Sequence, residues 1–240
     1  MPRRRQARAK KPMRMRRRPA KKRVAKKANK ISTVTIRQPG VVCADRYRVK
    51  LRYVDTTSNR VGTSGASFGL VRYYANSLFD PNPLVFTTTI PGFKQLTTLY
   101  DHYRVRATKI VVRATNMEAF PVVVLVWPSF IDLTTSSSNQ FFQEMLANPY
   151  VKWKMLSPKG GMDRCQLTNY ISWQKFAGTK NVSTDVDYAA LVNANPAQLF
   201  FLNIAAYSVD NTNFTPNTSV VFESRLTFYS EFYERVTLAS

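Results

Sequence analysis

The first 44 residues contain no Asp or Glu, and the earliest acid is Asp45. Histidine occurs once, as His102, and cysteine twice, as Cys43 and Cys165. One imidazole and two distant thiols, with no CxxC pair, cannot complete a zinc site. No loop gathers the six or more oxygens that calcium takes, so neither a metal nor any other cofactor is expected. Glycine is scarce, 8 in 240 residues, and forms no phosphate-cradling turn. No apolar run approaches about 18 residues, so no transmembrane helix and no membrane insertion are expected. The basic N-terminus is not followed by the apolar stretch of roughly 7–15 residues that marks a secretory signal. The lone histidine adjoins an acid, Asp101, but neighbours on a strand point to opposite faces, which leaves Asp101 badly placed to orient His102 in a catalytic triad. The expectation is a protein that is not an enzyme. Both cysteines are expected free and buried, as in an intracellular chain.

What is abundant is positive charge. The chain carries 36 Lys and Arg against 14 Asp and Glu, a formal +22. Sixteen of the bases stand in the first 30 residues: Arg3, Arg4, Arg5, Arg8, Lys10, Lys11, Arg14, Arg16, Arg17, Arg18, Lys21, Lys22, Arg23, Lys26, Lys27 and Lys30. Val24 is the sole branched aliphatic side chain among them. So little apolar surface cannot offset the entropy of ordering, and like charges extend the chain. Residues 1–36 are therefore expected to be a disordered basic arm, and 37–240 a folded body. Each base that meets a phosphate releases a condensed counterion, with little regard to base sequence. Arg adds bidentate geometry toward phosphate oxygens. Nucleic acid is the expected partner of the arm. Within it, Pro19-Ala20-Lys21-Lys22-Arg23-Val24 has the composition of a nuclear-import address.

The body is patterned differently. Arg46-Tyr47-Arg48-Val49-Lys50-Leu51-Arg52-Tyr53 alternates strictly, the period of a half-buried strand. Tyr47, Val49, Leu51 and Tyr53 should face a core. Arg46, Arg48, Lys50 and Arg52 then form a positive wall on the other side, serving either as a solvated face or as a second phosphate-binding surface. Arg104 and Arg106 repeat the pattern at the start of a long β-branched run, 103–116. Further strand-like runs cover 67–74, 121–130, 151–156, 164–172, 198–208 and 219–235. Residues 121–130 are apolar enough to be covered on both faces. Connections are rich in Pro, Asn, Ser and Thr. Helical signals are confined to 93–100, 140–147 and 173–176. Eight short strands with long polar connections define an all-β sandwich or barrel; the strand count in roughly 200 residues suits a jelly roll, and periodicity alone leaves other sandwich topologies open.

Two stretches of the body carry a resemblance. Asn169-Tyr170-Ile171-Ser172-Trp173-Gln174-Lys175-Phe176-Ala177-Gly178-Thr179-Lys180 runs from a strand through a short helix to Gly-x-Lys. Arg225-Leu226-Thr227-Phe228-Tyr229-Ser230-Glu231-Phe232-Tyr233-Glu234-Arg235 is an aromatic final strand closing on Arg. With the basic arm and Asn195-Pro196, their order along the chain resembles the capsid proteins of small circular single-stranded DNA viruses, the circoviruses and their relatives. The resemblance implies a single eight-stranded jelly roll of two four-stranded antiparallel sheets, with strands named B to I at 45–56, 66–74, 103–116, 121–130, 151–157, 163–172, 198–208 and 219–235 and with B, I, D and G in one sheet. It implies about sixty copies closing into a small icosahedral (T=1) shell through heterologous contacts, with loops 55–66, 75–100 and 131–150 as contact and surface elements. The single-stranded genome, DNA favoured, would be held by the arms together with Arg46, Arg48, Lys50, Arg52, Arg104 and Arg106. Sixty arms supply on the order of a thousand positive charges toward a genome of roughly one to two thousand nucleotides. The implied setting is the virion, with assembly in the host nucleus. The import receptor and the cell-surface receptor are left unspecified. Capsids of small RNA or satellite viruses share such shells, and a non-viral, ribosomal-type RNA-binding protein is the alternative outside that class.

Overall fold

The structure, a computed structural model, describes residues 44–61, 66–83, 90–133, 139–215 and 219–236. Cys43, the sixteen arm bases from Arg3 to Lys30 and the boundary at 36/37 lie outside the described residues. Nine strands are formed among those described: β1 (Arg46–Val61), β2 (Phe68–Tyr74), β3 (Tyr100–Asn116), β4 (Val122–Ser129), β5 (Lys152–Leu156), β6 (Arg164–Ser172), β7 (Ala189–Leu191), β8 (Phe201–Ser208) and β9 (Val220–Arg235). Three short helices interrupt them, α1 (Phe93–Leu96), α2 (Asn139–Met145) and α3 (Trp173–Ala177), and two 3₁₀ turns cover Lys180–Ser183 and Val186–Tyr188.

Every strand pairing is antiparallel. One sheet has the order β1-β9-β3-β6, and the other β2-β8-β4-β5. With strands lettered B to I, these are B-I-D-G and C-H-E-F, the two sheets of a jelly roll. The expected strand bounds hold to within a few residues. The first sheet is five-stranded rather than four, because β7 adds to β3 through His102–Arg104. Three residues, Ala-Ala-Leu, are too few to show alternation, so this strand left no period to detect.

Alternation decides which side chains meet between the sheets. Leu51 and Tyr53 of β1, Ile110 and Val112 of β3, Val122, Val124 and Val126 of β4, Leu202 and Ile204 of β8, and Phe222, Leu226 and Phe228 of β9 fill the interior. At the open end of β1, Val49 packs only partly and Tyr47 is 44% exposed, stacked on Tyr100. Trp173 of α3 is fully buried against Phe200, and its Nε1–H donates to Thr108 Oγ1 at 3.1 Å. Each such aromatic, fully buried, contributes about 1.5–3 kcal/mol over its exposed state.

Buried polar groups fix the loops to this core. Asp55 accepts from Tyr73 Oη and Asn82 Nδ2, each at 3.0 Å. Burial pushes the Tyr73 hydroxyl far above its ordinary range, which keeps it a donor to that carboxylate. Glu118 accepts from the backbone N–H groups of Thr215 and Ser219 at 3.0 and 2.7 Å. Asn76 clamps the 198–200 segment, donating to the Gln198 carbonyl and accepting from the Phe200 N–H. Ala75 to Leu78 are buried, so the start of the 75–100 connection belongs to the body and is not a free surface loop.

The outer face of the β2-β8-β4-β5 sheet has its own apolar layer. Val123, Leu125 and Trp127 of β4 and Ala205 and Tyr207 of β8 are covered by α2 through Phe142, with Phe141 and Met145 beside it. This is how β4 becomes buried on both sides, as its composition predicted. It also means that residues 139–147 of the 131–150 connection are folded onto the body. No helix among the described residues is long and apolar enough to cross a membrane.

Candidate nucleic-acid interface

Ten bases are brought to one face, the outer side of the β1-β9-β3-β6 sheet. They are Arg46, Arg48, Lys50 and Arg52 of β1, Arg104, Arg106, Lys109 and Arg113 of β3, Arg164 of β6 and Arg225 of β9. The described acids of the same face are Glu223 and Glu231 on β9. The face exists because β1, up to its bulge after Asp55, and β9 opposite it keep period two, which sends Arg48–Lys50–Arg52 and Arg225–Thr227–Tyr229 to one side and Leu51 and Leu226 to the other.

β3 reaches the same result through a bulge. Between Val105 and Ala107 the register against β9 slips by one residue, leaving Arg106 extra. A bulge of this kind changes which parity faces the core. Before it Tyr103 and Val105 are buried; beyond it Ile110, Val112 and Ala114 are. The outward positions therefore pass from Arg104 to Lys109 and Arg113. The alternating pair Arg104/Arg106 was visible in the sequence. Lys109, Arg113, Arg164 and Arg225 were not selected, although the jump from even-numbered to odd-numbered bases between Arg106 and Lys109 is a trace of the bulge.

The six body bases expected to form the wall have different fates. Arg46, Lys50 and Arg52 are exposed on the face as expected. Arg48 is exposed too, but its Nε donates to Glu231 at 3.3 Å. Arg106 donates to the same carboxylate, through Nε at 2.8 Å and through Nη2. Glu231 is almost completely covered by these two guanidiniums. Burial alone would raise its pKa; the hydrogen bonds and charges of Arg106 and Arg48 outweigh that and hold the carboxyl below its usual range. Arg104 is a correction. It is only 7% exposed, lies over the Tyr233 ring at 5.5 Å and donates to the carbonyls of Ser183 and Asp185, the latter at 2.8 Å. The two 3₁₀ turns and β7 fold over it, so Arg104 pins that segment to the sheet and is not available to a phosphate.

At the far end of the face, Arg225 donates to Glu223 through Nε at 2.8 Å, and Arg113 Nη1 stands 3.4 Å from the same carboxylate. The hydrogen bond from Arg225 and the two nearby positive charges hold Glu223 below the usual carboxylate range. Each acid is thus shared between two arginines, and the face keeps a large excess of positive charge. Such an array over a low-dielectric body focuses potential outward and attracts a polyanion.

Two other residues singled out by sequence can be placed. His102 lies with Nδ1 3.0 Å from Glu234 and its ring stacked on Tyr233, while Asp101 is exposed beside it. Its backbone is paired on both sides, with Leu191 of β7 and Tyr233 of β9. Cys165 is a buried free thiol, and burial raises its pKa, leaving it a poor nucleophile.

No family model and no curated protein sequence matches the chain. Solved structures align over most of it at low identity. Desmodium yellow mottle tymovirus covers 87% of this chain and 99% of its own at 11% identity, with a TM-score of 0.44. The semi-empty virus-like particle of giant freshwater prawn Macrobrachium rosenbergii nodavirus covers 83% and 100% at 10% identity, TM-score 0.49. Cocksfoot mottle virus covers 79% and 97% at 8% identity, TM-score 0.47. The strand order and register above define the class on their own: an antiparallel jelly roll with one strongly basic face.

Proposed function

We propose that the chain is the capsid protein of a small virus, a subunit that assembles with copies of itself into a closed shell around a single-stranded genome. The observation that carries this reading is the coincidence of two basic elements on a jelly roll: an arm with sixteen bases and no acid, and a sheet face with ten bases and two acids among the described residues. Jelly rolls build viral capsid domains, and a shell around nucleic acid must offset the self-repulsion of the enclosed phosphates. The arm, residues 1–36, supplies most of that charge; the β1-β9-β3-β6 face lines the interior and supplies the rest. Contacts of this kind hold a genome without reading its sequence.

The resemblance to circovirus capsids favours DNA and assembly in the nucleus, and it rests on sequence motifs alone. Nothing in the sheet face distinguishes deoxyribose from ribose, and an RNA-virus capsid fits the observations at least as well. A ribosomal-type protein would use the same arm and the same basic face on RNA, but as a single copy, and the sedimentation experiment separates the two readings.

The test is sedimentation of the expressed full-length chain with nuclease treatment. A capsid protein yields a large, uniform particle holding nuclease-protected nucleic acid, whose sugar identifies the genome type. A monomer or small oligomer at every salt and nucleic-acid condition contradicts the reading.

A further inference from the structure

Near its middle the basic face dips. Arg52 of β1 and Lys109 of β3 stand opposite the same residue of β9, Thr227, one from each side. In the next row Val54 and Val111 flank Arg225 in the same way. Short side chains form the floor and three cations the rim of a hollow of about 330 Å³, and no carboxylate lines it. Arg52 and Lys109 make no ion pair among the described residues. Strands lie about 4.8 Å apart, so these two bases rise on either side of a groove one strand wide.

The same row continues onto β6. Tyr170 stands opposite Lys109 there and is 57% exposed. Its ring meets Tyr229 edge-on, with centroids 5.6 Å apart and planes at 85°. Tyr229 in turn carries Lys50 Nζ 5.2 Å from its ring centre. An exposed aromatic ring thus stands one strand from Lys109, two strands from Arg225 and three from Arg52, along the same rows of the face.

We infer that this hollow and Tyr170 form one site for unpaired nucleotides, with phosphates on Arg52 and Lys109, Arg225 at the rim already paired with Glu223, and a base stacked on the Tyr170 ring. The inference rests on the capsid reading and names what the body, as distinct from the arm, binds. Cations alone would bind any polyanion; a duplex hides its base faces in the stack. A single strand offers both its phosphates and its π-faces, and stacking tolerates every base. The site selects for strandedness, which the arm cannot do.

The experiment uses the full-length chain and photocrosslinking to oligothymidylate, with crosslinked peptides mapped by mass spectrometry. It is accompanied by affinity titrations against the same oligonucleotide, a duplex of equal length and inorganic polyphosphate. The expected crosslink lies in the 164–172 strand as well as in the arm. Tyr170→Ala is expected to weaken single-strand binding about tenfold and leave duplex and polyphosphate binding unchanged, and Tyr170→Phe to restore it. Arg52→Ala with Lys109→Ala is expected to weaken all three and to flatten the single-strand salt dependence by about 1.4 log units per decade. Thermal melting confirms that each variant is folded. Crosslinks confined to the arm, or an equal loss for single strand and duplex in Tyr170→Ala, overturn the site. If particles with protected nucleic acid still form in that case, the capsid reading stands without it. If no particle forms, it is the capsid reading that fails.

Discussion

The two outward faces of the sandwich have opposite fates. The β2-β8-β4-β5 sheet presents Phe68, Leu70, Leu125, Trp127 and Tyr207 and hides them under α2. Its one strand-borne arginine, Arg72, is matched by Asp132. The β1-β9-β3-β6 sheet presents ten bases, leaves most of them in solvent, and covers only the corner at Arg104. Both sheets use the same period-two alternation, so the contrast does not come from the fold. It comes from the residues placed at outward positions: most apolar ones are covered by α2, with Trp153 and Met155 of β5 left half exposed beside it, while charged ones keep the face open. The first face is a source of stability. The second costs stability through self-repulsion, and a protein retains such a face for what it binds.

That contrast makes mutational effects divide by face. Trp127→Ala empties a fully buried position beneath α2 and is expected to lower unfolding free energy by about 3–5 kcal/mol in denaturant titrations. A loss near that of a surface site would mean that α2 does not pack as described. Arg104→Ala is the exception on the basic face: it should cost about 1.5–3 kcal/mol, because it strands the Ser183 and Asp185 carbonyls. The readout is faster proteolysis and amide exchange across residues 180–191, and Arg104→Lys should not restore protection.

Glu231→Gln is expected to cost about 1–2 kcal/mol, since Arg48 and Arg106 remain partly solvated once their shared carboxylate is neutralised. Its pH dependence has a fixed sign. The Glu231 carboxyl is held below the ordinary value of 4.5, so its contribution is complete above that value and fades as pH falls through the lower folded-state value. Wild type should therefore lose more stability than the variant below about pH 4.5. Parallel pH profiles would show that the carboxylate is not ionised against the two arginines. The smallest effect on folding belongs to Arg52→Ala and Lys109→Ala, each within about 0.5 kcal/mol of wild type.

Most of the fold was legible because period two marks strands with one wet face, Arg46–Tyr53 and Arg164–Ser172 above all, while β4 and β8, buried along nearly their whole length, show as apolar runs of strand length. The helices at 93, 139 and 173 were legible in place, though α1 stops after four residues. What periodicity could not show is what lies over a face. Arg48, Arg104 and Arg106 look equivalent to Lys50 and Arg52 in sequence, yet the 180–191 segment buries Arg104, and Glu231, 125 residues beyond Arg106 and 183 beyond Arg48, engages the other two. Lys109 and Arg225 escaped notice for the converse reason. Neither belongs to a run of bases, and only the register of β9 between β1 and β3 places them beside Arg52.

The central claim is that the basic face looks toward the enclosed polymer. A cryo-EM map of particles assembled from the full-length chain tests it directly. The account predicts Arg52, Lys109 and Arg225 on the luminal surface, in contact with nucleic-acid density, and the α2-covered face turned outward. A map with those three side chains on the exterior of the shell would contradict it.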